Sequence, residues 1–167
     1  FVLDGSGVGE LEIPSLDLWP KVAWAPSSSA IRVNLDTLTR EQVVSWKPGD
    51  RILLSGKLLT GRDAAHKRIE DMLKAGEKPP VDFTNRVIYY VGPVDPVRDE
   101  VVGPAGPTTA TRMDKFTAMM LEKTGLIAMV GKAERGPVAI DAIREHKAAY
   151  LMAVGGAAYL VAKAIRK

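Results

Sequence analysis

The sequence predicts an α/β fold with a strand-rich first half and an alternating strand–helix second half. Three observations predict it. Segments the length of a strand recur, as an apolar/polar alternation at 31–35 and as largely apolar runs at 51–55, 87–91, 126–130 and 150–154. In the second half these runs alternate with stretches whose apolar residues repeat at helical spacing, so short parallel strands are expected there. The chain has 167 residues, 46 % of them hydrophobic and 26 % charged, enough for one domain with its own core.

Residues 1–29 read as an N-terminal extension or linker with at most one short strand. Gly5, Gly7 and Gly9 are followed by Pro14, Pro20, Pro26 and a triple serine. Gly5-Ser6-Gly7-Val8-Gly9 has the wrong spacing for a dinucleotide fingerprint, and no helical pattern follows it. The regular domain is expected over 30–167. Alternation predicts a strand at 31–35, then a short helix at 39–45 and a turn at Pro48-Gly49-Asp50. A strand follows at 51–55, and 57–60 continues it or pairs with it. Ala65, Ile69, Met72 and Leu73 mark a helix over 62–75 that stops at Gly76. Pro79-Pro80 is a loop, and 87–91 a strand.

A run with two Gly-Pro steps, 103–107, leads into a helix at about 112–123. Thr111 and Asp114 have the spacing of a capping box, Met113, Phe116 and Met120 form the buried stripe, and Gly125 ends the helix. A buried strand at 126–130, a helix opened by Pro137, a buried strand at 150–154, a Gly155-Gly156 turn and a buried helix complete the chain. The apolar stretch 148–165 is read as that strand and helix and not as a membrane span, because the glycine pair divides it and Lys147 and Lys163 bound it.

Composition excludes several classes. The net charge of +3 is spread along the chain with no concentrated basic face, so no nucleic-acid partner is expected. With no cysteine, the chain can form no disulfide, thiol nucleophile or thiolate metal site, which fits a cytoplasmic protein. Neither His66 nor His146 has a second ligand at a metal spacing, and there is no Walker-type loop or nucleophile elbow. The start at Phe1, without a signal peptide, suggests a fragment, a processed product or half of a larger protein.

Four strand-to-helix turns carry the candidate chemistry. In Thr60-Gly61-Arg62-Asp63-Ala64-Ala65-His66, an arginine at a helix start opposes the helix dipole, so it serves an anion or pairs with a nearby carboxylate. His66, four residues on, is placed to order it by hydrogen bonding. The second turn is Gly106-Pro107-Thr108-Thr109-Ala110-Thr111-Arg112-Met113-Asp114, with two hydroxyls and an arginine at a helix mouth. The third is Val130-Gly131-Lys132-Ala133-Glu134-Arg135-Gly136, whose Lys132 and Arg135 are either ligand groups or solvated loop charges. At Gly155-Gly156, close packing of helix on strand is the better reading. Arg62, Arg112 and Lys132 with Thr108 and Thr109 suit a small dicarboxylate better than a nucleotide. No strong acid–base pair accompanies them, so the inventory looks like half of an active site.

Those segments, together with Tyr89-Tyr90-Val91-Gly92-Pro93 and Gly155-Gly156-Ala157-Ala158, occur in an order that resembles the C-terminal domain, or β subunit, of class I iron–sulfur fumarate hydratases. The resemblance covers about 30–167. It implies a three-layer β/β/α swivelling domain that works with an iron–sulfur α subunit or N-terminal domain. That partner would hold a [4Fe–4S] cluster through its own cysteines, with the open iron acting as Lewis acid on the departing hydroxyl of malate. It implies reversible hydration of fumarate to (S)-malate, with Thr108 as the base at C3, Arg62, Arg112 and Lys132 on the substrate carboxylates and Thr109 beside them. The general acid is expected from the partner, and the assembly is expected to be a dimer or heterotetramer.

The β subunit of L-tartrate dehydratase shares the motif and is the nearest alternative, although the closing segment 146–158 looks more like the fumarase branch. A non-catalytic dicarboxylate-binding module is the third reading. Ala133 departs from the family pattern, which commonly has glycine after the lysine. If that position needs a positive φ, Ala133 would bend the loop and shift Lys132. The glycine-rich residues 1–29 match nothing in the resemblance.

Overall fold

A computed structural model describes residues 2–4, 7–9, 25, 27–96, 99–154, 156 and 158–167. Near the N-terminus two strands, β1 (Val2–Asp4) and β2 (Gly7–Gly9), pair antiparallel with Leu3 opposite Val8. Next come β3 (Ile31–Asn34), α1 (Arg40–Ser45) and β4 (Ile52–Ser55), and β3 pairs parallel with β4. Helix α1 starts where it does because Thr39 and Gln42 form a reciprocal capping box: the Gln42 amide donates to Thr39 Oγ1 at 3.4 Å and the Thr39 amide to Gln42 Oε1 at 3.0 Å.

The rest of the chain is β5 (Leu59–Thr60), α2 (Asp63–Lys74), β6 (Val87–Tyr89), a 3₁₀ turn (Ala110–Met113), α3 (Asp114–Thr124), β7 (Ala128–Gly131), α4 (Pro137–Glu145), β8 (Ala149–Met152) and α5 (Ala158–Ala164). The four strands form one all-parallel sheet in the order β5-β6-β7-β8, with Ile88 beside Leu59 and Met129, and Met129 beside Tyr150.

The pleat sorts side chains into two cores. Val87, Tyr89, Ala128 and Val130 point to one face, against Val33, Leu35 and Val43 of the β3–α1–β4 unit. Ile88, Tyr90 and Met129 point to the other, against Ile69 of α2, Phe116 and Met120 of α3 and Ala142 of α4. The β3–β4 sheet, the four-stranded sheet and helices α2, α3 and α4 therefore stack as β/β/α layers. Ile88 is 1 % exposed and Met129 0 %, and burial of each contributes about 1.5–3 kcal/mol.

Local signals place the ends. Gly125 closes α3 in the left-handed region at φ 75°, and Pro137 opens α4. Several expectations are corrected. Segment 57–60 does not pair with β4: its two-residue strand joins the edge of the larger sheet beside β6. Strand β8 is the opposite edge and only half-buried. Helix α5 is only partly buried, because Ala162 and Val161 pack inward while Tyr159 and Leu160 stand largely in solvent. Gly155, half of the expected glycine turn, lies outside the described residues, as do Gly5 and Ser6 of the N-terminal glycine stretch. Among the described residues, no helix is long and apolar enough to cross a membrane.

Candidate active site

All four strands of the larger sheet run the same way, so their carboxyl ends and the starts of the following helices share one edge, where open α/β sheets place ligands. At β5, the Gly61 amide donates to Tyr89 O at 3.1 Å and carries the chain to Arg62, the cap of α2. Arg62 makes no side-chain cap bond. Its guanidinium lies against Gly92 instead, where a Cβ would stand 3.3 Å from Arg62 Cζ, Nε and Nη1 and would press it aside by a few tenths of an ångström. Arg62 Nε is 3.9 Å from Asp63 Oδ2, and Asp63 Oδ1 accepts from Arg112 Nε at 3.1 Å. One carboxylate thus stands between two guanidiniums. Their side chains remain 45 % and 54 % exposed, and among the described residues their terminal nitrogens donate no hydrogen bond to protein. Asp63 meets the carboxylate-partner reading of Arg62, and the terminal nitrogens stay open beside it.

His66 lies behind Arg62. Its amide and its Nδ1 both reach the Arg62 carbonyl, at 3.0 and 2.8 Å. A carbonyl can only accept, so Nδ1 carries the hydrogen. The ring is 1 % exposed, edge-on to Tyr90 at 5.4 Å and beside Phe116 at 5.7 Å, and Nε2 has no partner. Burial pushes the His66 pKa below its ordinary value, although the bond to the Arg62 carbonyl opposes this. The imidazole therefore orders Arg62 through its backbone and not through its guanidinium.

Residues 108–110 wedge between the ends of β6 and β7. The Thr108 amide donates to Tyr90 O at 2.8 Å, the Lys132 amide to Thr108 O at 3.1 Å and the Ala110 amide to Lys132 O at 3.0 Å, with Thr109 bridged in parallel to Lys132. Thr108 and Thr109 are half-buried, and among the described residues neither hydroxyl has a protein partner. Lys132 is exposed at the tip of β7. Before it, Gly131 allows close approach: a Cβ there would meet Tyr90 Cδ2 at 3.0 Å and Ala110 Cβ at 3.1 Å. After it, Ala133 takes the left-handed region itself, at φ 62°, and Tyr150 Oη donates to its carbonyl at 2.8 Å. Ala133 thus takes up the positive φ itself and bears the strain of about 1–2 kcal/mol that a glycine would avoid.

Arg135 is not a solvated loop charge. Its side chain is 2 % exposed, Nε donates to Asp114 Oδ1 at 2.6 Å and Nη2 donates to Thr117 Oγ1. Its Cζ lies 5.5 Å from the Tyr90 ring centre and 5.0 Å from that of Tyr150. Asp114 Oδ2 accepts the Gly136 amide at 2.6 Å. The expected capping box of Thr111 and Asp114 does not form, because a buried guanidinium needs a counter-charge more than a helix start needs a cap. The chain enters α3 through the 3₁₀ turn instead.

All five residues singled out in the sequence, Arg62, Thr108, Thr109, Arg112 and Lys132, come to this one edge. Sequence reasoning missed Asp63 as the link between Arg62 and Arg112, and it missed the buried Asp114–Arg135 pair. The first had a faint signal, a carboxylate beside the arginine. The second had none, because what buries Arg135 is supplied by Tyr90 and Tyr150 from distant strands.

Comparison with known proteins follows from the same residues. The family model described as "Fumarase C-terminus" matches residues 5–167. A putative class I fumarate hydratase of Geobacillus stearothermophilus is 38 % identical over 132 residues, covering 77 % of this chain and 24 % of that protein. A putative L(+)-tartrate dehydratase subunit beta of Methanocaldococcus jannaschii is 36 % identical over 132 residues, covering 78 % of this chain and 68 % of that one. The anaerobic class I fumarate hydratase of Escherichia coli is 31 % identical over 142 residues, covering 83 % and 26 %. The chain thus spans about a quarter of the length of these fumarate hydratases and about two thirds of the tartrate subunit.

Proposed function

The chain belongs to the fumarase C-terminal family, and on that premise we propose that it is the substrate-binding half of a hydro-lyase interconverting fumarate and (S)-malate. One observation carries the reading: Arg62, Arg112 and Lys132 gather with two unpartnered hydroxyls at one sheet edge and keep their charged ends open. Planar guanidiniums suit the flat fork of a carboxylate, and the lysine supplies a point charge. In the dehydration direction Thr108 Oγ1 takes the proton from C3. The nearby cations favour its alkoxide and stabilise the negative charge that develops on the adjacent carboxylate. The hydroxyl leaves C2 with a proton from a group outside this chain.

The residues present do not fit a [4Fe–4S] cluster. The chain has no cysteine, and among the described residues no group of three His, Asp or Glu is placed to hold a metal. We therefore assign the cluster to an α subunit or N-terminal domain that completes the site. The limited coverage of the longer relatives supports such a partner. A swivelling motion of this domain, a cytoplasmic location and a dimer or heterotetramer belong to the same proposal. Turnover of tartrate is the second reading, supported by the identity to the tartrate subunit and its greater coverage.

The test is anaerobic turnover of malate and tartrate side by side, by the protein with its cluster-bearing half, beside Thr108→Ala. Loss of the base is expected to lower kcat about 10³-fold with KM changed less than about threefold. Unchanged kcat removes Thr108 as the base, and a strong tartrate preference moves the substrate assignment.

A further inference from the structure

We propose that Arg135 is a positioning residue for Lys132. Its buried guanidinium ties the 131–136 loop to the start of α3 and so sets where the lysine ammonium stands. The inference rests on the dicarboxylate reading above and adds a residue that does not touch the substrate.

Three observations support it. First, Arg135 reaches across to α3, where Asp114 Oδ1 and Thr117 Oγ1 accept its hydrogen bonds, while Asp114 Oδ2 takes the Gly136 amide of the same loop. The carboxylate that anchors the loop thus lies two residues after Arg112, so the supports of two substrate cations share one turn. Second, Tyr90 and Tyr150 flank the guanidinium, and the Tyr150 hydroxyl also holds the Ala133 carbonyl. Third, the Lys132 backbone is bonded on both sides, to Thr108 O and from the Ala110 amide. The loop is fixed at 132, 133, 135 and 136, which leaves the exposed Lys132 side chain aimed from a rigid base. A loop held only for stability would be better served by an apolar residue, since burying an ion pair is seldom a net gain over packed hydrocarbon.

The experiment uses the protein with its cluster-bearing half and the variants Arg135→Lys, Tyr150→Phe, Lys132→Met and their doubles. Arg135→Lys keeps the charge but loses the planar fork, and it is expected to raise the malate KM about tenfold or more, with a smaller effect on kcat. In the Lys132→Met background the same change is expected to add less than about threefold, because the residue it acts through is gone. Additive losses would overturn the proposal. Tyr150→Phe removes one hydroxyl and keeps the ring. It carries the test if Arg135→Lys does not fold, with an expected KM rise of about threefold that Lys132→Met likewise abolishes. Amide hydrogen exchange without ligand separates this claim from the functional one. Arg135→Lys, or Tyr150→Phe in its place, is expected to speed exchange at Lys132 and Gly136 about tenfold and leave Tyr90 unchanged. Unaltered exchange overturns the positioning role whatever the substrate. Accelerated exchange in a protein that turns over neither malate nor tartrate overturns only the functional reading.

Discussion

Replacing Ala133 by glycine should stabilise this protein. Ala133 sits at φ 62°, where an L-residue with a Cβ is disfavoured by about 1–2 kcal/mol. Its side chain is exposed, so removing the methyl forfeits no burial. The hydrogen bond from Tyr150 Oη goes to the backbone carbonyl and survives the change. Glycine brings greater freedom to the unfolded chain, which offsets about 0.4–1 kcal/mol of the relief. The net expectation is a gain of about 0.5–1 kcal/mol, or about 1–4 °C in Tm for a domain of this size. Calorimetry with urea unfolding measures both, and an unchanged m-value shows that stability changed without altering the surface exposed on unfolding. A Tm that falls would refute the reasoning, since it would mean that the left-handed loop is held by the alanine and not merely endured by it.

Other outcomes follow from neighbouring residues. The native pKa of His66 lies below its ordinary value, so as pH drops below about 6.5 the unfolded chain takes up a proton that the native ring refuses. Stability should fall with decreasing pH by up to about 1.4 kcal/mol per unit until the native pKa is passed, and His66→Phe should remove that slope in urea titrations at pH 7 and 5.5. Asp63→Asn removes the carboxylate shared by Arg62 and Arg112. The pairs are exposed, so stability should change by less than about 1 kcal/mol, while the malate KM rises about tenfold as the guanidiniums lose their common anchor. Steady-state kinetics beside a melting curve shows whether the two effects separate this way.

What was legible in the sequence was local. Gly76, Gly125 and Pro137 mark helix ends through interactions within a few residues, and the structure uses each of them. The five candidate residues could be gathered from the sequence because each lies in a glycine-containing stretch that leads into a helix. The misses needed partners far along the chain. Segment 57–60 could have paired with either sheet, and only the packing of β6 decides it. Asp114 had two possible uses, and the buried Arg135, twenty-one positions on, outcompeted the local cap. The apolar composition of α5 could not tell that Tyr159 and Leu160 face largely into solvent.

The rungs that hold residues 108–110 separate the address of Thr108 from the route that delivers it. Its position is set by Tyr90 and Lys132, which lie at the ends of two paired strands. Ala105 ahead of it is pinned too, its amide donating to Ala158 O and its carbonyl accepting from Tyr89 Oη, and the Gly103 amide closes on Val94 O, so only the stretch between Val94 and Gly103 can change length without moving the hydroxyl. The proposed base is thus insulated from drift in that stretch, and the tolerance ends at Gly103, where a Cβ would stand 2.6 Å from Asp95 O.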